Sequence, residues 1–476
     1  MAFTSLTFIA FIGAVVLLTS MLPSPGGRSA VLLGANLVFI GSYVDSVTQV
    51  APLAAFLLMC YLIIEGVRRS RSSAALVAGL VVVIVTFIVL KKFSFLGESL
   101  VLPFPYLIAG LSYVLFRVVH LLVDAKQGEL TQPIAPLHFF NYTCNFLSFT
   151  AGPIQRFQDY AANKDQRLSL DEEKVFRAFA RVIMGFVKVA VVSAIFNYLF
   201  DSVSVRVLDT AATLSWPMFL GLYTTAAVCY TVYLYANFSG YMDIVIGVGA
   251  LIGQELPENF NQPFRARSFL EFWQRWHMTL SEWFKTYVFN PLLKLLATHV
   301  TAPAAGPYLG VIAFFVTFLI MGVWHGTTSV FVVYGLLMGA GASINKLWQV
   351  MITKRLGKKR YKVVAEKSLV IYLARGLTLA YFALALTCLW VDMPQLLRLT
   401  RQLGIGGVAA SYLGLAVAGA VAYFVWDTLA SLPARWLASS TGGVIGRNLG
   451  LAFQILLIVT VSSFFHKAPE FVYRAF

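Results

Sequence analysis

Long apolar stretches separated by short polar segments dominate this chain of 476 residues. A helix needs about 20 mostly apolar residues to cross a bilayer. Stretches that approach this length cover residues 3–22, 30–48, 50–67, 73–90, 104–123, 182–200, 213–235, 308–324, 328–344, 368–391, 407–430 and 448–466. Shorter or interrupted stretches lie at 137–151, 238–253 and 284–297. The pattern predicts an all-α polytopic membrane protein with about eleven to thirteen transmembrane or re-entrant helices.

The composition supports the same conclusion, because 59% of the residues are hydrophobic and only 12% are charged. About a quarter of the residues in a soluble domain are charged, so the excess apolar surface must face lipid. No segment resembles a separate soluble domain. We therefore expect one membrane domain over 1–476, with N-terminal helices at 1–136, a core at 137–345 and C-terminal helices at 346–476. Residues 1–22 have no basic start, which favours a retained first helix over a signal peptide.

The net charge of +15 could indicate a nucleic-acid partner, but its distribution argues against one. Arginines at 68, 69 and 71 lie in a short loop, and a larger basic cluster occupies 354–362. Basic clusters beside apolar runs mark cytoplasmic loops, so we expect both loops in the cytoplasm and membrane lipid as the partner. The four cysteines occur singly and no metal-binding motif is present, which predicts neither a disulfide framework nor a metal site.

Two polar features lie in the first third of the chain. Arg117 and His120 are three residues apart in an apolar run, which places them on one helix face. Such groups either face a protein-lined cavity or snorkel to the interface, and the sequence slightly favours snorkelling. Gly152-Pro153 breaks any helix and predicts a re-entrant segment or a tight turn, with Arg156 as an anchor.

An aromatic pattern follows at three- and four-residue steps, which predicts one amphipathic helix from Phe269 to Tyr287. Its apolar stripe comprises Phe269, Trp273, Trp276, His277, Leu280, Trp283, Phe284 and Tyr287. A tryptophan-rich helix with mixed charge fits the membrane interface. His277 falls on the stripe, where a histidine is more often a satisfied buried group than a functional one.

The strongest candidate is His325, the only side chain that titrates near neutral pH between Tyr308 and Ile344. One helix over this run would be roughly 55 Å long, nearly twice the hydrocarbon thickness. The run must therefore bend back or break, and small residues from Gly322 to Ser329 supply the means. Irregular backbone at membrane depth must be buried in protein or line a water-filled cavity. The alternative is an ordinary surface loop between two passages.

Several motifs resemble the bacterial membrane-bound O-acyltransferase family, the group with the alginate O-acetylation and teichoic-acid D-alanyl transfer membrane proteins. The most specific are Pro-Glu-Asn-Phe-Asn-Gln-Pro-Phe at 257–264, Phe-Trp-Gln-Arg-Trp-His-Met-Thr-Leu-Ser-Glu-Trp-Phe at 272–284 and Met-Gly-Val-Trp-His-Gly at 321–326. The resemblance covers most of the chain to about residue 345. It departs from the family at Asn290-Pro-Leu-Leu-Lys and at Cys388-Leu-Trp-Val-Asp, which leaves the acceptor open.

The resemblance implies a ring of tilted helices around a tunnel, with His325 as the essential histidine and His277 as the second one. Further residues expected to line the tunnel or contact substrate are Trp324, Asn259, Asn261, Arg275, Trp276, Ser281 and Asp243. It also implies a multi-pass protein of the bacterial cytoplasmic (inner) membrane with no bound cofactor. The donor would be an acyl thioester, either acetyl-CoA or an acyl carrier protein.

The expected reaction is acyl transfer to a hydroxyl of a polysaccharide or cell-wall polymer, directly or through an extracytoplasmic acyltransferase-type partner. His325 is a suitable base, because imidazole has an ordinary pKa near 6.5. Arg265, Arg267 and Arg275 would attract donor phosphates or anchor the interface. Acetyl is the first choice of acyl group and D-alanyl the second. A transporter or flippase of a lipid-linked glycan is the alternative from another class, although no internal repeat is visible.

Overall fold

The computed structural model describes residues 5–93, 102, 104–164, 168, 171–209, 214–431 and 444–464. Within these residues the chain is mostly helical, and its β pairing amounts to an isolated bridge between Phe260 and Trp276. The predicted all-α class is therefore confirmed.

The helices are numbered in chain order. The first ten are α1 (Leu6–Met21), α2 (Pro25–Gly41), α3 (Ala51–Ser70), α4 (Ser73–Lys91), α5 (Leu111–Gln127), α6 (Pro136–Thr143), α7 (Phe157–Lys164), α8 (Glu172–Phe186), α9 (Ala194–Asp209) and α10 (Trp216–Leu251). The rest are α11 (Phe269–Trp273), α12 (Met278–Phe284), α13 (Asn290–His299), α14 (Gly306–Trp324), α15 (Val330–Leu356), α16 (Lys358–Ala365), α17 (Ser368–Ala385), α18 (Met393–Ser431) and α19 (Val444–Phe464). Short π-helical segments at Val187–Ser193 and Lys285–Phe289 join α8 to α9 and α12 to α13.

Nine helical segments in the described part of the chain are long and apolar enough to cross a membrane. They are Val47–Ser70, Ser73–Lys91, Glu172–Asp209, Trp216–Leu251, Gly306–Trp324, Val330–Leu356, Ser368–Leu389, Met393–Leu429 and Gly446–Phe464. Three more predicted passages, at 3–22, 30–48 and 104–123, correspond to α1, α2 and α5, which have only 16 or 17 residues. The chain is therefore a multi-pass membrane protein.

The chain divides into two compact units by its internal contacts. The first comprises residues 1–190, 237–258 and 461–476, and the second comprises 191–236 and 259–460. In the first unit α5 packs with α3 and α4, and in the second α14 with α15 and α17 with α18 form closely packed pairs.

The prediction of two separate stretches at 213–235 and 238–253 is wrong, because α10 runs through both as one helix of 36 residues. Gly240 lies near the junction of these two predicted stretches. Gly240 instead allows a close helix contact, since a Cβ atom there would lie 2.7 Å from the carbonyl oxygen of Gly185 in α8. The small residue serves packing, and the helix continues through it.

The prediction that Arg117 and His120 snorkel to the interface is also wrong, because both side chains are buried inside the first unit, at 1% and 3% exposure. The Arg117 guanidinium donates to the carbonyl oxygens of Thr143 and Ser148 at 2.6 and 2.7 Å. It therefore satisfies backbone groups of the non-helical segment after α6. His120 Nε2 lies 3.1 Å from the Phe157 amide and accepts its hydrogen bond at the start of α7.

The predicted break at Gly152-Pro153 lies in this same irregular segment between α6 and α7, most of which is buried. A Cβ atom on Gly152 would lie 2.6 Å from the carbonyl oxygen of Leu147, so only glycine fits the close approach. Arg156 is exposed at the end of the segment. The Arg117 contacts hold this loop from within, which is how irregular backbone can be tolerated in a membrane protein.

Candidate active site

His325 lies at the junction of a tight helical hairpin. Helix α14 ends at Trp324 and α15 begins at Val330, and the His325 amide donates to the Gly322 carbonyl at 3.1 Å to close the last turn. The predicted break in the 308–344 run is therefore confirmed. The His325 side chain is buried, with the residue only 5% exposed, so the junction is not the ordinary surface loop that was the alternative.

Glycines allow the two helices of this hairpin to approach so closely. A Cβ atom on Gly322 would lie 2.5 Å from the Gly335 backbone nitrogen, and one on Gly326 would overlap the Phe331 ring. Real Cβ atoms do not approach backbone at such distances, so a larger residue at 322 would force α14 and α15 apart. The glycines at 322 and 335 thus fix the position of the His325 backbone.

Two aromatic rings fix the orientation of the imidazole. The Trp324 ring lies edge-on at a centroid distance of 4.9 Å, and the Tyr334 ring, from the next helix, lies 5.6 Å away. Tyr334 is itself only 2% exposed. Sequence reasoning missed this tyrosine. Its spacing of nine residues from His325 gives no signal until the hairpin is known to fold back.

The predicted single helix from Phe269 to Tyr287 is wrong. Two short helices, α11 and α12, occupy the segment, and His277 between them has a φ of +46°. This left-handed conformation costs a non-glycine residue roughly 1–2 kcal/mol. The aromatic residues Phe269, Phe272, Trp273 and Trp276 are buried, so the segment does not lie on the interface as expected. The apolar periodicity continues through the break, which explains the error.

A short pairing of extended backbone explains why the helix breaks at 277. The Asn261 amide donates to the Arg275 carbonyl at 2.9 Å, and the Met278 amide donates to the Asn259 carbonyl at 2.9 Å. These two bonds flank the Phe260–Trp276 bridge. They take the place of helical bonds in the 274–278 turn and point the His277 side chain inward.

Asn259 anchors the His277 ring. Its side-chain oxygen accepts from the Thr279 amide at 3.0 Å and from the Thr279 hydroxyl at 2.9 Å, and it lies 3.3 Å from His277 Nδ1. Because a backbone N–H donates to this atom, it must be the amide oxygen, which can only accept. The His277 contact is then a hydrogen bond when Nδ1 carries the proton, which leaves Nε2 as the acceptor of the neutral ring.

The two imidazoles interact electrostatically. His277 lies outside the nine candidate spans and is 0% exposed, and burial holds its pKa well below its ordinary value of 6.5. The His325 imidazole lowers the pKa of His277 further. The structure therefore brings together the two histidines that the sequence singled out, with His277 held neutral.

Four other predicted residues, Trp276, Ser281, Asn261 and Arg275, lie on the same segments. Trp276 is buried among aromatic rings, stacked on Phe272 at 5.4 Å. Ser281 is half-buried, and its amide caps the turn by donating to the His277 carbonyl at 3.0 Å. Asn261 has an exposed side chain.

Arg275 is held by two interactions. Its guanidinium contacts the Glu271 carboxylate at 3.0 and 3.1 Å and donates to the Asn261 carbonyl at 3.3 Å. These bonds fasten the end of α11 to the extended strand at 261.

Asp243 belongs to the first unit, unlike the other predicted site residues. There it accepts hydrogen bonds from Lys188 at 2.6 Å and from Arg181 at 3.1 Å. Arg181 also forms a paired contact with Glu258 at 2.6 Å. Asp243 thus joins α10 to α8 and the π-helical turn that follows it.

No cluster of three or more His, Cys, Asp or Glu side chains that could hold a metal ion occurs in the described residues.

Thr279, which supplies two of the three donors around Asn259, is a further site residue that the sequence did not indicate. Asn259 and Thr279 are 20 residues apart, so their contact leaves no local sequence pattern, and only the break at 277 brings the two together.

Comparison with known proteins gives a consistent result. The model of the membrane-bound O-acyltransferase family matches residues 103–384, which include both histidines. A teichoic acid D-alanyltransferase of Streptococcus thermophilus is 31% identical over 260 residues, 53% of this chain and 60% of that protein. A probable alginate O-acetylase of Pseudomonas fluorescens is 30% identical over 356 residues, 73% of this chain and 66% of that protein.

A teichoic acid D-alanyltransferase of Bacillus subtilis is 29% identical over 238 residues, 48% of this chain and 56% of that protein. The matches thus span about half to two thirds of the length of these relatives. Because the family model covers more than half of the chain, the chain belongs to the membrane-bound O-acyltransferase family.

Proposed function

We propose that this chain is an O-acyltransferase of the bacterial cytoplasmic membrane. It transfers an acyl group, acetyl as the first choice, from a cytoplasmic thioester to a hydroxyl of a cell-envelope polymer or exopolysaccharide. The observation that carries the proposal is the buried His325 imidazole at a helix break, coupled to a second buried imidazole within the region of family similarity.

His325 is the proposed general base. A ring nitrogen takes the proton of the acceptor hydroxyl while the oxygen attacks the thioester carbonyl. The carbon–sulfur bond then breaks and the thiolate leaves, taking up a proton, so that the ester and a free thiol are the products. A positioned base contributes about 10²–10⁴-fold to such a step. Burial suits this role, because a neutral imidazole is the form that accepts a proton.

His277 is proposed to assist rather than to act as the base. Its Nδ1 is committed to Asn259, which leaves Nε2 to position the donor or hold a second proton. Replacement of His277 by alanine should reduce transfer without abolishing it. Unchanged transfer would assign His277 to packing only.

The donor is proposed to be acetyl-CoA or an acyl carrier protein, with no cofactor bound. Arg275 is occupied by Glu271, so attraction of donor phosphates from the cytoplasm falls to Arg267, which is exposed. Trp324 against the His325 ring and Asn259 beside His277 support a tunnel wall at these positions. An extracytoplasmic acyltransferase-type partner is proposed by analogy with the family alone.

D-alanyl transfer is the second candidate, because relatives named teichoic acid D-alanyltransferase match at identities similar to those of the alginate O-acetylases. One experiment separates the candidates. The gene is deleted in its own host, and ester-linked acetate and D-alanine are released from envelope and secreted polymers by mild alkali and quantified. Loss of acetate supports the first choice, and loss of D-alanine supports the second.

The deletion is then complemented with the wild type, His325→Ala and His299→Ala. His299 is the matched control, because it is exposed at the end of α13. Wild type and His299→Ala should restore the ester, and His325→Ala should not. If deletion changes neither ester while export of a lipid-linked glycan fails, the transporter alternative replaces this proposal.

A further inference from the structure

A largely apolar slot of about 400 Å³ opens between α10, α17 and α18 in the second unit. Leu379 and Ala383 of α17 and Ala422 and Trp426 of α18 are among the residues that line it. Small side chains at Ala383, Gly419 and Ala422 leave the space. The volume lies within the range of about 300–1,000 Å³ typical of ligand sites. Arg265, which the sequence analysis placed among three possible donor-phosphate contacts, lines this slot, whereas His325, His277 and Arg267 do not.

The slot is open toward the lipid side of the helices. Trp426 is 65% exposed and Val228 is 37% exposed, and both belong to segments that are apolar enough to span a membrane. Exposed apolar side chains on such segments face hydrocarbon. An acyl chain could therefore enter the slot sideways from the bilayer without crossing water.

The charged residues at one end of the slot indicate which lipid headgroup fits there. Arg265 and Asp427 line it, and Arg375 binds Asp427 at 2.8 Å and donates to the Arg265 carbonyl at 3.3 Å. Two arginines, Arg265 and Arg375, and one aspartate, Asp427, thus lie at this end of the slot. Arg375 and Asp427 satisfy each other, whereas the Arg265 side chain is exposed and forms no ion pair among the described residues. The excess positive charge complements an anionic headgroup.

The position of this end along the helices agrees with a headgroup. Arg375 lies seven residues after the start of α17 at Ser368, which is about 10 Å along the helix. The basic cluster at 354–362 lies just before α17. Basic segments mark the cytoplasmic side, where anionic lipids are concentrated, and basic pockets between transmembrane helices bind their headgroups.

We propose that this slot binds an anionic phospholipid, with one acyl chain between α10, α17 and α18 and the phosphate at Arg265. The assignment is independent of the acyl transfer proposed above, since it concerns a different set of residues. It predicts that the delipidated chain binds an anionic phospholipid in preference to a zwitterionic one with the same acyl chains.

The test is native mass spectrometry of the purified, delipidated full chain in detergent. Phosphatidylglycerol is titrated against phosphatidylcholine with the same acyl chains, and glycerol phosphate is the headgroup without chains. Wild type should bind phosphatidylglycerol at least fivefold more tightly than phosphatidylcholine, since a basic residue near a membrane surface is worth about this factor. Glycerol phosphate should not displace the lipid.

Two variants with matched controls decide the outcome. Arg265→Gln should lower the preference for phosphatidylglycerol about fivefold, whereas Arg398→Gln, at an exposed position elsewhere on α18, should not. Ala422→Trp should fill the slot and weaken binding of both lipids, whereas Ala418→Trp, exposed on the same helix outside the slot, should bind like wild type.

Size-exclusion profiles confirm that each variant is folded. Equal affinity of wild type for the two lipids would overturn the proposal. So would displacement by glycerol phosphate, unchanged preference in Arg265→Gln, or equal binding by Ala422→Trp and Ala418→Trp.

Discussion

Replacing Asn259 by alanine should destabilise the site around His277 much more than the loss of one hydrogen bond would suggest. The Asn259 side-chain oxygen is the shared acceptor for the Thr279 amide, the Thr279 hydroxyl and His277 Nδ1. Asn259 and His277 are both 0% exposed, so water cannot replace the lost acceptor at the ring. Thr279 is half-buried, and its groups can be partly resolvated.

A buried donor left without an acceptor costs about 1–3 kcal/mol. Counting the imidazole N–H in full and the Thr279 amide in part gives a loss of about 2–4 kcal/mol in the free energy of unfolding. The left-handed conformation at His277, with its φ of +46°, adds strain that the Asn259 contact helps to offset. The 274–278 turn should therefore loosen first.

Asn261→Ala is the matched control. It removes the same side chain two residues away, where that chain is exposed, and the backbone bond from the Asn261 amide to the Arg275 carbonyl is kept. A surface change of this kind should stay within about 0.5 kcal/mol. The assay is reversible denaturant unfolding in mixed micelles, followed by hydrogen exchange at 274–279. Equal losses of stability in the two variants would refute the assigned role of Asn259.

Three further predictions follow from the backbone and from His277. Gly322→Ala should separate α14 from α15 and lower the thermal unfolding temperature, because its Cβ would lie 2.5 Å from the Gly335 nitrogen. The control Gly310→Ala, on the same helix, meets only the flexible Lys346 side chain and should be neutral or stabilising. Equal unfolding temperatures of the two variants would contradict this packing. Gly404→Ala should lower the free energy of unfolding by about 1–3 kcal/mol, because Gly404 has a φ of +59° and a ψ of −178° inside α18. Gly406→Ala, with open space around it, serves as the control in the same denaturant titration. Because the pKa of His277 is lower in the folded chain than its ordinary 6.5, the unfolded chain binds the proton first, and stability is lost as pH falls below 6.5, by up to about 1.4 kcal/mol per pH unit. His277→Phe should flatten this dependence of stability on pH, and His299→Phe, at an exposed site, should leave it unchanged. A pH dependence that His277→Phe does not alter would contradict the pKa shift.

The sequence was sufficient to predict features that depend on length and on local chemistry. The 308–344 run is too long for one span, so the break at His325 followed from geometry alone. The helical class followed from composition in the same way. Both predictions use properties that no tertiary contact can reverse.

Features that depend on contacts between distant segments were predicted wrongly. The aromatic periodicity of 269–287 is continuous, and only the pairing of 259–261 with 275–278 breaks the helix at His277. Arg117 was expected at the interface, but the carbonyls of the irregular segment after α6 hold it inside. The stretches at 213–235 and 238–253 were expected to be separate, but α10 runs through both, and Gly240 allows a close contact with Gly185 of α8. In each case a partner far away in the sequence decides the local structure.

The most direct test of the central claim is the initial rate of acyl transfer by the purified protein in liposomes, with labelled acetyl-CoA inside and the envelope polymer of the deletion strain outside. Loss of the His325 base should lower this rate by about 10²–10⁴-fold in His325→Ala, while His299→Ala keeps the wild-type rate. Transfer by His325→Ala at the wild-type rate would contradict the account.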